Sequence, residues 1–351
     1  MTDAPQQIKK SPILSLLTTI KETAALSSSN GKTGAYETNF TDIATFLINN
    51  TRLYIKQEIY AIIEIEFYLN DNNKNNHSDP FAHSHNDQLM LGNFYFHRAG
   101  STGYRGGTRK GLDITFGSVA ENIYGGILLR TIQNLKTNEI IEGPSLIVDK
   151  IMELCGKDRQ RILSVRELVE DVWNRKIGAF KNMHNSNNLV YIDIDEKLKE
   201  DERPKKRPKV EESALSPRIE GSLSPVNSHK IYTSPRIGLT LSNTSPSEIS
   251  RITFVLKPYR YFALPHLLKK GKIQTIVGLY DRFKDTQKVA KTIGGVMAES
   301  VVRKYITEID TGYNTGKIDQ FMGKKGKGGN ASEYCHMVGI VRKWKDEKGV
   351  L

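Results

Sequence analysis

Apolar and polar positions alternate most clearly over Ala61-Ile-Ile-Glu-Ile-Glu-Phe-Tyr-Leu69. Strict alternation predicts a strand with Ile63, Ile65 and Phe67 on one face and Glu64, Glu66 and Tyr68 on the other. Upstream, Phe40, Ile43, Ala44, Leu47 and Ile48 recur at helical spacing, predicting a helix over 38–50. Leu53–Ile55 then pairs with residues 59–69 through a turn at Lys56-Gln-Glu. Further strands are predicted over 93–97, 112–116 and 126–132. Residues 146–154 read as a helix capped by the Ser145 hydroxyl, and 164–173 as a second short helix. Two more helices are expected over 273–283 and 286–309, the latter with Val289, Ile293, Val296, Met297, Val301 and Tyr305 near one face.

Several stretches break the pattern. Residues 1–35 are polar and read as a disordered tail. Residues 185–233 carry a charge run and the pairs Ser216-Pro and Ser224-Pro, with Ser234-Pro just beyond, and read as a disordered insertion. Residues 36–184 and 234–265 are then two parts of one core, 266–322 a helical C-terminal extension, and 323–351 a basic, flexible tail. The fold class that follows is α+β: a single mixed domain with a curved antiparallel sheet flanked by helices.

With 351 residues and 38% hydrophobic content, the chain can bury a sizeable core, and no apolar run reaches a membrane span. No membrane partner is expected. Cys155 and Cys335 have no metal-type spacing and read as free thiols in a reducing compartment. The net charge of +12 suggests a polyanionic partner, usually nucleic acid; basic tails and loops are the plainer source of that excess. Arg203, Lys205, Lys206, Arg207 and Lys209 form a compact basic run that suggests an import receptor as partner and a nuclear location, with a solvated charge run as the alternative.

Chemistry concentrates after the first long strand. Glu66, between Ile65 and Phe67, is a candidate general base; the bland alternative places Glu64 and Glu66 on the wet face of a sheet. His77 to Asp87 follows with three histidines. The spacing His83-x-His85-x-Asp87 begins like the zinc motif of the metallo-β-lactamases, but Gln88 stands where a further histidine is expected, leaving too few ligands for a dinuclear centre. The preferred reading has no metal and no cofactor, with a metal-dependent hydrolase as a lesser alternative. The loop 99–111 holds five glycines with Arg105, Arg109 and Lys110, suited to phosphate contact, and Tyr104 is its one large ring.

The order of these pieces resembles the alkyladenine (methylpurine) DNA glycosylase family. The matching segments are Glu66-Phe-Tyr68, His77-Ser78, Gly92-Asn-Phe-Tyr95, Leu112-Asp-Ile114, Leu128-Leu-Arg130, Gly143-Pro144, Pro235-Arg-Ile-Gly238 and Lys257-Pro-Tyr-Arg-Tyr-Phe262. They run collinearly from about 38 to 262. The resemblance implies a methylpurine-glycosylase-like fold and a monomeric, monofunctional enzyme acting on double-stranded DNA. It would hydrolyse the N-glycosidic bond of a flipped, alkylated or deaminated purine. Glu66 would activate the water. Tyr68, His77 or His83, His97, Asp113 and Arg130 would form the base pocket. Arg98 or Tyr104 would fill the gap in the duplex, with Arg105, Arg109 and Lys110 on the backbone. Asp113 and the His97-Arg98 pair depart from the family pattern, which also suggests a catalytically inactive nucleic-acid-binding protein on the same scaffold.

Overall fold

In the computed structural model the described residues are 12–20, 35–71, 77–156, 162, 164–183, 189–195, 229–242, 244–245, 248–295, 297–323 and 329–349. They form a mixed α+β fold around a large antiparallel sheet. Helix α1 spans 12–20 and α2 Ala35–Asn50. The strands are β1 (Thr51–Ile55), β2 (Glu58–Asp71), β3 (Leu91–Phe96), β6 (Leu112–Phe116), β7 (Ile123–Asn134), β8 (Ile140–Glu142), β9 (Val190–Ile194), β10 (Tyr232–Ser234) and β11 (Arg260–Phe262). Their order is β10-β11-β2-β7-β6-β3; β1 bridges β2 and β9, and β8 flanks β7. The tiny strands β4 (Arg98–Ala99) and β5 (Gly103–Tyr104) make a separate hairpin.

β2 does not alternate throughout. A bulge between Ile62 and Ile65 shifts its register against β7, and an extra residue reverses the facing of everything beyond it. Tyr60 and Ile62 before the bulge, and Ile65, Phe67 and Leu69 after it, all face the main core. Ile63 is thereby turned away from Ile65 and Phe67 and packs with Phe262 and Leu268 instead. Glu64 and Glu66 are not on a wet face: they are 1% and 0% exposed.

Helix α2 lies on the apolar face, with Phe40 stacked on Phe67 at 4.4 Å. Helix α3 (Pro144–Cys155) packs beside it, burying Ile147, Val148 and Ile151. Ser145 does not cap α3; Gly143 holds that position, and the Ser145 hydroxyl donates to the Gly107 carbonyl. The stretch 164–173 is helical as expected, with Ser164 capping α4 (Val165–Glu167) and a π-turn over Leu168–Val172.

Four expectations for the irregular regions need correction. Residues 12–20 are not tail: they form a helix that buries Ile13, Leu17 and Ile20. Residues 190–194 lie within the expected insertion yet pair with β1 along their full length, because Val190 and Ile192 bury on alternate positions. The expected helix over 286–309 is two, α7 (Thr286–Thr292) and α8 (Glu299–Thr315), divided where Gly294 and Gly295 take positive φ. Residues 331–348 are not a flexible tail but helix α9, closed at its start by a reciprocal Asn330–Glu333 capping box and at its end by Gly349. With α5 (Ile249–Phe254) and α6 (Lys272–Phe283), α7–α9 surround a second apolar cluster including Leu241, Val277, Val302, Val338 and Val341. The basic run Arg203–Lys209 and the pairs at Ser216 and Ser224 lie outside the described residues. Among the described residues no helix is long and apolar enough to cross a membrane, and both cysteines are buried free thiols.

Candidate functional site

The face of the sheet opposite α2 is polar. Residues directly opposite one another in antiparallel strands project to the same side. The pairings Arg260–Glu66, Glu66–Leu128, Leu128–Asp113 and Asp113–Tyr95 therefore define one row across β11, β2, β7, β6 and β3. Four of its five residues are polar or ionisable, whereas Ile65, Phe67, Ile114, Ile127 and Leu129 on the same strands face the apolar core.

Glu66 is the centre of this row. Its Oε1 accepts the Ile237 backbone N–H at 2.7 Å, and its Oε2 accepts the Tyr68 hydroxyl at 2.9 Å and Arg130 Nη1 at 3.2 Å. Glu64 lies beside it and receives Arg260 Nε at 2.5 Å, Arg130 Nε at 3.3 Å and the Thr131 hydroxyl. Arg260 continues to Ser234 and to Thr275 on α6. Burial disfavours the Glu64 charge, but Arg260 and Arg130 outweigh it and hold the carboxyl below its ordinary range. Burial likewise opposes the Arg130 charge, and Glu66 and Glu64 reverse that, so Arg130 stays protonated. Tyr68 is half-buried; burial, then the neighbouring Glu66, push its phenol well above the usual range. The phenol is therefore a fixed donor to the carboxylate.

The segment 235–238 is held by a second buried pair. Arg236 Nη1 lies 2.5 Å from Asp79 Oδ2 and Nη2 lies 3.2 Å from Oδ1, both side chains being 0% exposed. Nη1 also reaches the Phe67 carbonyl at 3.1 Å, and the guanidinium sits 4.4 Å from the Tyr68 ring centre. This pair, with Gly271 pressed against Ile237, places the amide that Glu66 accepts.

The histidines separate into two environments. His77 is 8% exposed and packed among Tyr36, Phe254 and Tyr259. Its Nε2 meets the Tyr259 hydroxyl at 2.8 Å and its Nδ1 the Leu69 carbonyl at 3.1 Å. Burial pushes its pKa down, against Asp79 and Glu37. His83 stands with His97, their ring centres 4.3 Å apart, and beside Tyr95. Desolvation by its neighbours, then repulsion from His97, push the His83 pKa down to about 4 even though the residue as a whole is exposed. His97 Nε2 bonds Asp113 Oδ1 at 2.9 Å, and Gln88 Nε2 donates to Asp113 Oδ2 at 3.2 Å. A side chain at Gly126 would collide with that carboxylate, and one at Gly111 with the His97 ring.

Of His83, His85 and Asp87, the last two are in contact, His85 Nδ1 lying 3.4 Å from Asp87 Oδ2. His85 Nδ1 caps a short 3-10 turn by accepting the Asp87 N–H, while Asp87 Oδ2 binds Arg98 at 2.7 and 3.1 Å. Among the described residues no three His, Cys, Asp or Glu side chains are grouped as metal ligands.

In the basic loop, Tyr104 is not at the tip. It is half-buried at the foot of the β4–β5 hairpin, with Arg98 4.1 Å above its ring. Arg105 Nε is spent on the Arg98 carbonyl, and Lys110 on Asp149 and the Gly107 carbonyl. Arg109 is exposed and its side chain makes no bond to any described residue. Two concavities of about 410 and 430 Å³ flank the hairpin and share Tyr104 and Arg166 as walls.

Arg236, Arg260, Gln88 and the Ile237 amide were missed as site components by the sequence reading. An arginine inside the apolar run 259–263 is the signal for Arg260, since a buried guanidinium requires a buried carboxylate. The Ile237 amide carries no side-chain signal at all.

The chain is 31% identical over 247 residues to "Uncharacterized protein L759" of Acanthamoeba polyphaga mimivirus, a match covering 67% of this chain and 91% of that protein. No family model matches, and no solved structure does.

Proposed function

We propose, for a chain that belongs to one family with that mimivirus protein, a role in DNA base excision: hydrolysis of the N-glycosidic bond of a damaged purine flipped out of duplex DNA. The observation that carries this reading is convergence. Glu66-Phe-Tyr68, Leu128-Leu-Arg130 and Pro235-Arg-Ile-Gly238 are separated by up to 171 positions, yet all three deliver a group to one carboxylate. These are segments on which the resemblance to the alkyladenine DNA glycosylases rests, and their meeting supports a glycosylase-like fold as well as the site.

In this reading Glu66 takes a proton from water, whose oxygen attacks the sugar C1′ carbon. Arg130 and the Tyr68 hydroxyl orient the carboxylate. Arg109, whose side chain has no partner among the described residues, would meet the DNA backbone, and Arg98, stacked on Tyr104 and held by Asp87, would fill the duplex gap. His83 and His97, rather than the core-packed His77, lie on the pocket side. The basic run Arg203–Lys209 would direct the protein to the nucleus.

A second reading, duplex binding without turnover, is favoured by one observation: Glu66 is fully buried and three donors already occupy its oxygens. One pair of measurements separates the two. Single-turnover release from duplexes carrying hypoxanthine or 7-methylguanine is expected for the native chain. Glu66→Gln is expected to lose at least about 10²-fold in rate while keeping duplex affinity. Release at the native rate in that variant removes Glu66 from the chemistry; no release by either protein, with duplex binding intact, leaves the binding reading.

A further inference from the structure

We propose that the concavity between the start of β10 and helix α7 is a binding site for linked phosphate groups carried by a small molecule, a nucleoside triphosphate or a free polyphosphate. The cavity holds about 780 Å³, within the roughly 300–1,000 Å³ usual for small-ligand sites. Three parts of the chain meet around it: His229, Lys230 and Tyr232 at the entry to β10, the turn 264–266 beyond β11, and α7 with its capping Asp285. None of its walls belongs to the carboxylate row or to the His83–His97 cluster, so this site stands or falls apart from the excision reading.

Charge at this cavity is one-sided. Lys230, Lys288 and Lys291 line it, all three exposed, and none is ion-paired to a described residue. Asp285 is the one acid in the lining, and its Oδ1 accepts the Lys288 backbone N–H at 3.0 Å at the start of α7. The ammonium groups lean on rings instead. Lys230 Nζ lies 5.5 Å from the centre of the Tyr232 ring and 5.6 Å from that of Phe283, and Lys288 Nζ lies 4.8 Å from Phe283. Arg282 adds its guanidinium 5.3 Å from the Tyr232 ring centre and donates to the Ile231 carbonyl at 3.2 Å. A ring face holds a cation in place without neutralising it. The positive potential gathered on these two rings is therefore left for an anion from outside.

The walls are anchored on every side. Asn49 on α2 donates to the His229 carbonyl at 3.2 Å, and Tyr232 stacks on Phe262 across the β10–β11 pair, ring centres 5.9 Å apart. Val289 and Ile293 sink α7 into the second apolar cluster, while Lys288 and Lys291, three positions apart and so neighbours on the helix surface, meet the cavity. Two residues with left-handed backbone shape the remaining wall. Gly294, at φ 68°, lets the end of α7 close on His266, where a Cβ would stand 2.6 Å from the His266 Cβ. Leu264, in the lining itself, has φ 48°, uncommon for so bulky a side chain. Such conformations gather at ligand sites, where surrounding structure holds them in place.

The chemistry of the lining selects the ligand. A lysine ammonium is a compact point charge with three donors, suited to phosphate oxygens approached from several directions. Lys288 and Lys291 come from one helix and Lys230 from the strand entry across the cavity. Charges placed around a concavity in this way meet several adjacent anionic groups, and a chain of two or three linked phosphates supplies them. Tyr232, Leu264 and the buried Pro265 add an apolar wall beside the lysines, with room for a nucleoside on the same molecule. A duplex carries its phosphates on a convex surface, whereas a concavity of this size suits a compact ligand.

The test is calorimetric titration of the full-length chain with ATP, tripolyphosphate and adenosine, at an ionic strength of about 0.05 M where exposed charges are less screened. One variant carries Lys230→Gln, Lys288→Gln and Lys291→Gln together. A control of equal charge carries Lys136→Gln, Lys304→Gln and Lys317→Gln, three exposed lysines that do not line the cavity. The expected result is one-to-one binding of ATP and tripolyphosphate, with none of adenosine. The cavity variant should weaken both by about tenfold or more and the control by less than about threefold. ATP binding about tenfold tighter than tripolyphosphate assigns the phosphates to a nucleotide; equal affinities assign them to a free polyphosphate. Equal losses in the two variants overturn the site, because net charge alone then explains the binding. Failure of both polyphosphates to bind the native chain overturns it as well, and duplex binding that weakens only in the cavity variant would then give these lysines to a nucleic-acid surface. If the triple variant melts early, Lys288→Gln and Lys291→Gln, made singly, decide by the same comparison with Lys304→Gln.

Discussion

Replacing Arg236 by methionine keeps the length of the stem and removes the charge. Arg236 and Asp79 are both 0% exposed and joined by two contacts at 2.5 and 3.2 Å. The same guanidinium also donates to the Phe67 carbonyl and stacks against Tyr68. In the variant Asp79 would keep only the Phe81 backbone N–H at 3.0 Å, leaving a carboxylate in a dry site without its counter-charge. Breaking one side of such a pair costs about 3–5 kcal/mol. Against a typical total of roughly 5–15 kcal/mol, that is about a fifth of the stability or more. With a urea slope of about 3 kcal/mol/M, the unfolding midpoint should fall by roughly 1–1.7 M. Equilibrium urea unfolding of the native chain, Arg236→Met, Asp79→Asn and the double variant completes the cycle. The double variant should recover about 1–3 kcal/mol relative to the sum of the single losses, because removing both charges removes the stranded one. A loss below about 1 kcal/mol for Arg236→Met, or simple additivity in the cycle, would refute the account of this pair as the clamp on the 235–238 segment.

Two further outcomes follow from the hairpin and the histidines. Arg109→Ala should weaken duplex binding and lower the slope of log affinity against log salt by about 0.9. Arg105→Ala and Lys110→Ala should change it less, since those cations are engaged internally; an unchanged slope in Arg109→Ala takes the loop out of the interface. His83 is neutral in the fold down to about pH 4, whereas an unfolded imidazole protonates near 6.5. The unfolded chain therefore binds more protons between those values, and stability declines as pH falls through that window. His83→Gln should flatten this part of a midpoint-against-pH curve, and an identical curve would mean that another group governs it.

Much of the main sheet was legible because each strand carries an apolar face, and the α2–β1–β2 succession follows from periodicity alone. The bulge in β2 was not legible. Ile62, Ile63 and Ile65 are equally apolar, and only the register against β7 decides which of them turns away. The C-terminal helix α9 was readable in principle: Tyr334, Met337, Val338 and Val341 recur at helical spacing behind an Asn-x-x-Glu start. Its basic composition drew attention from that pattern. The short strand over 190–194 was hidden the same way, by the charges that follow it. At the site, Glu66 and Tyr68 stood out as polar residues in a strand, whereas Arg130 and Asp113 entered only through the resemblance. The division between His77 and His83 did not, because it depends on Tyr259, 182 positions away from His77.

Arg260 ties three parts of the chain together. It reaches Glu64 on the central strand, Ser234 on the sheet edge and Thr275 on the first helix beyond the sheet. A fragment ending near residue 265, where the resemblance to the glycosylases stops, would strip one acceptor from a fully buried guanidinium and bare the second apolar cluster at once. The C-terminal helices are thus not cargo attached to a finished core. In this chain the segment beyond the resemblance has been built into the footing of the carboxylate pair, so a truncation meant to isolate the sheet and its site would dismantle it.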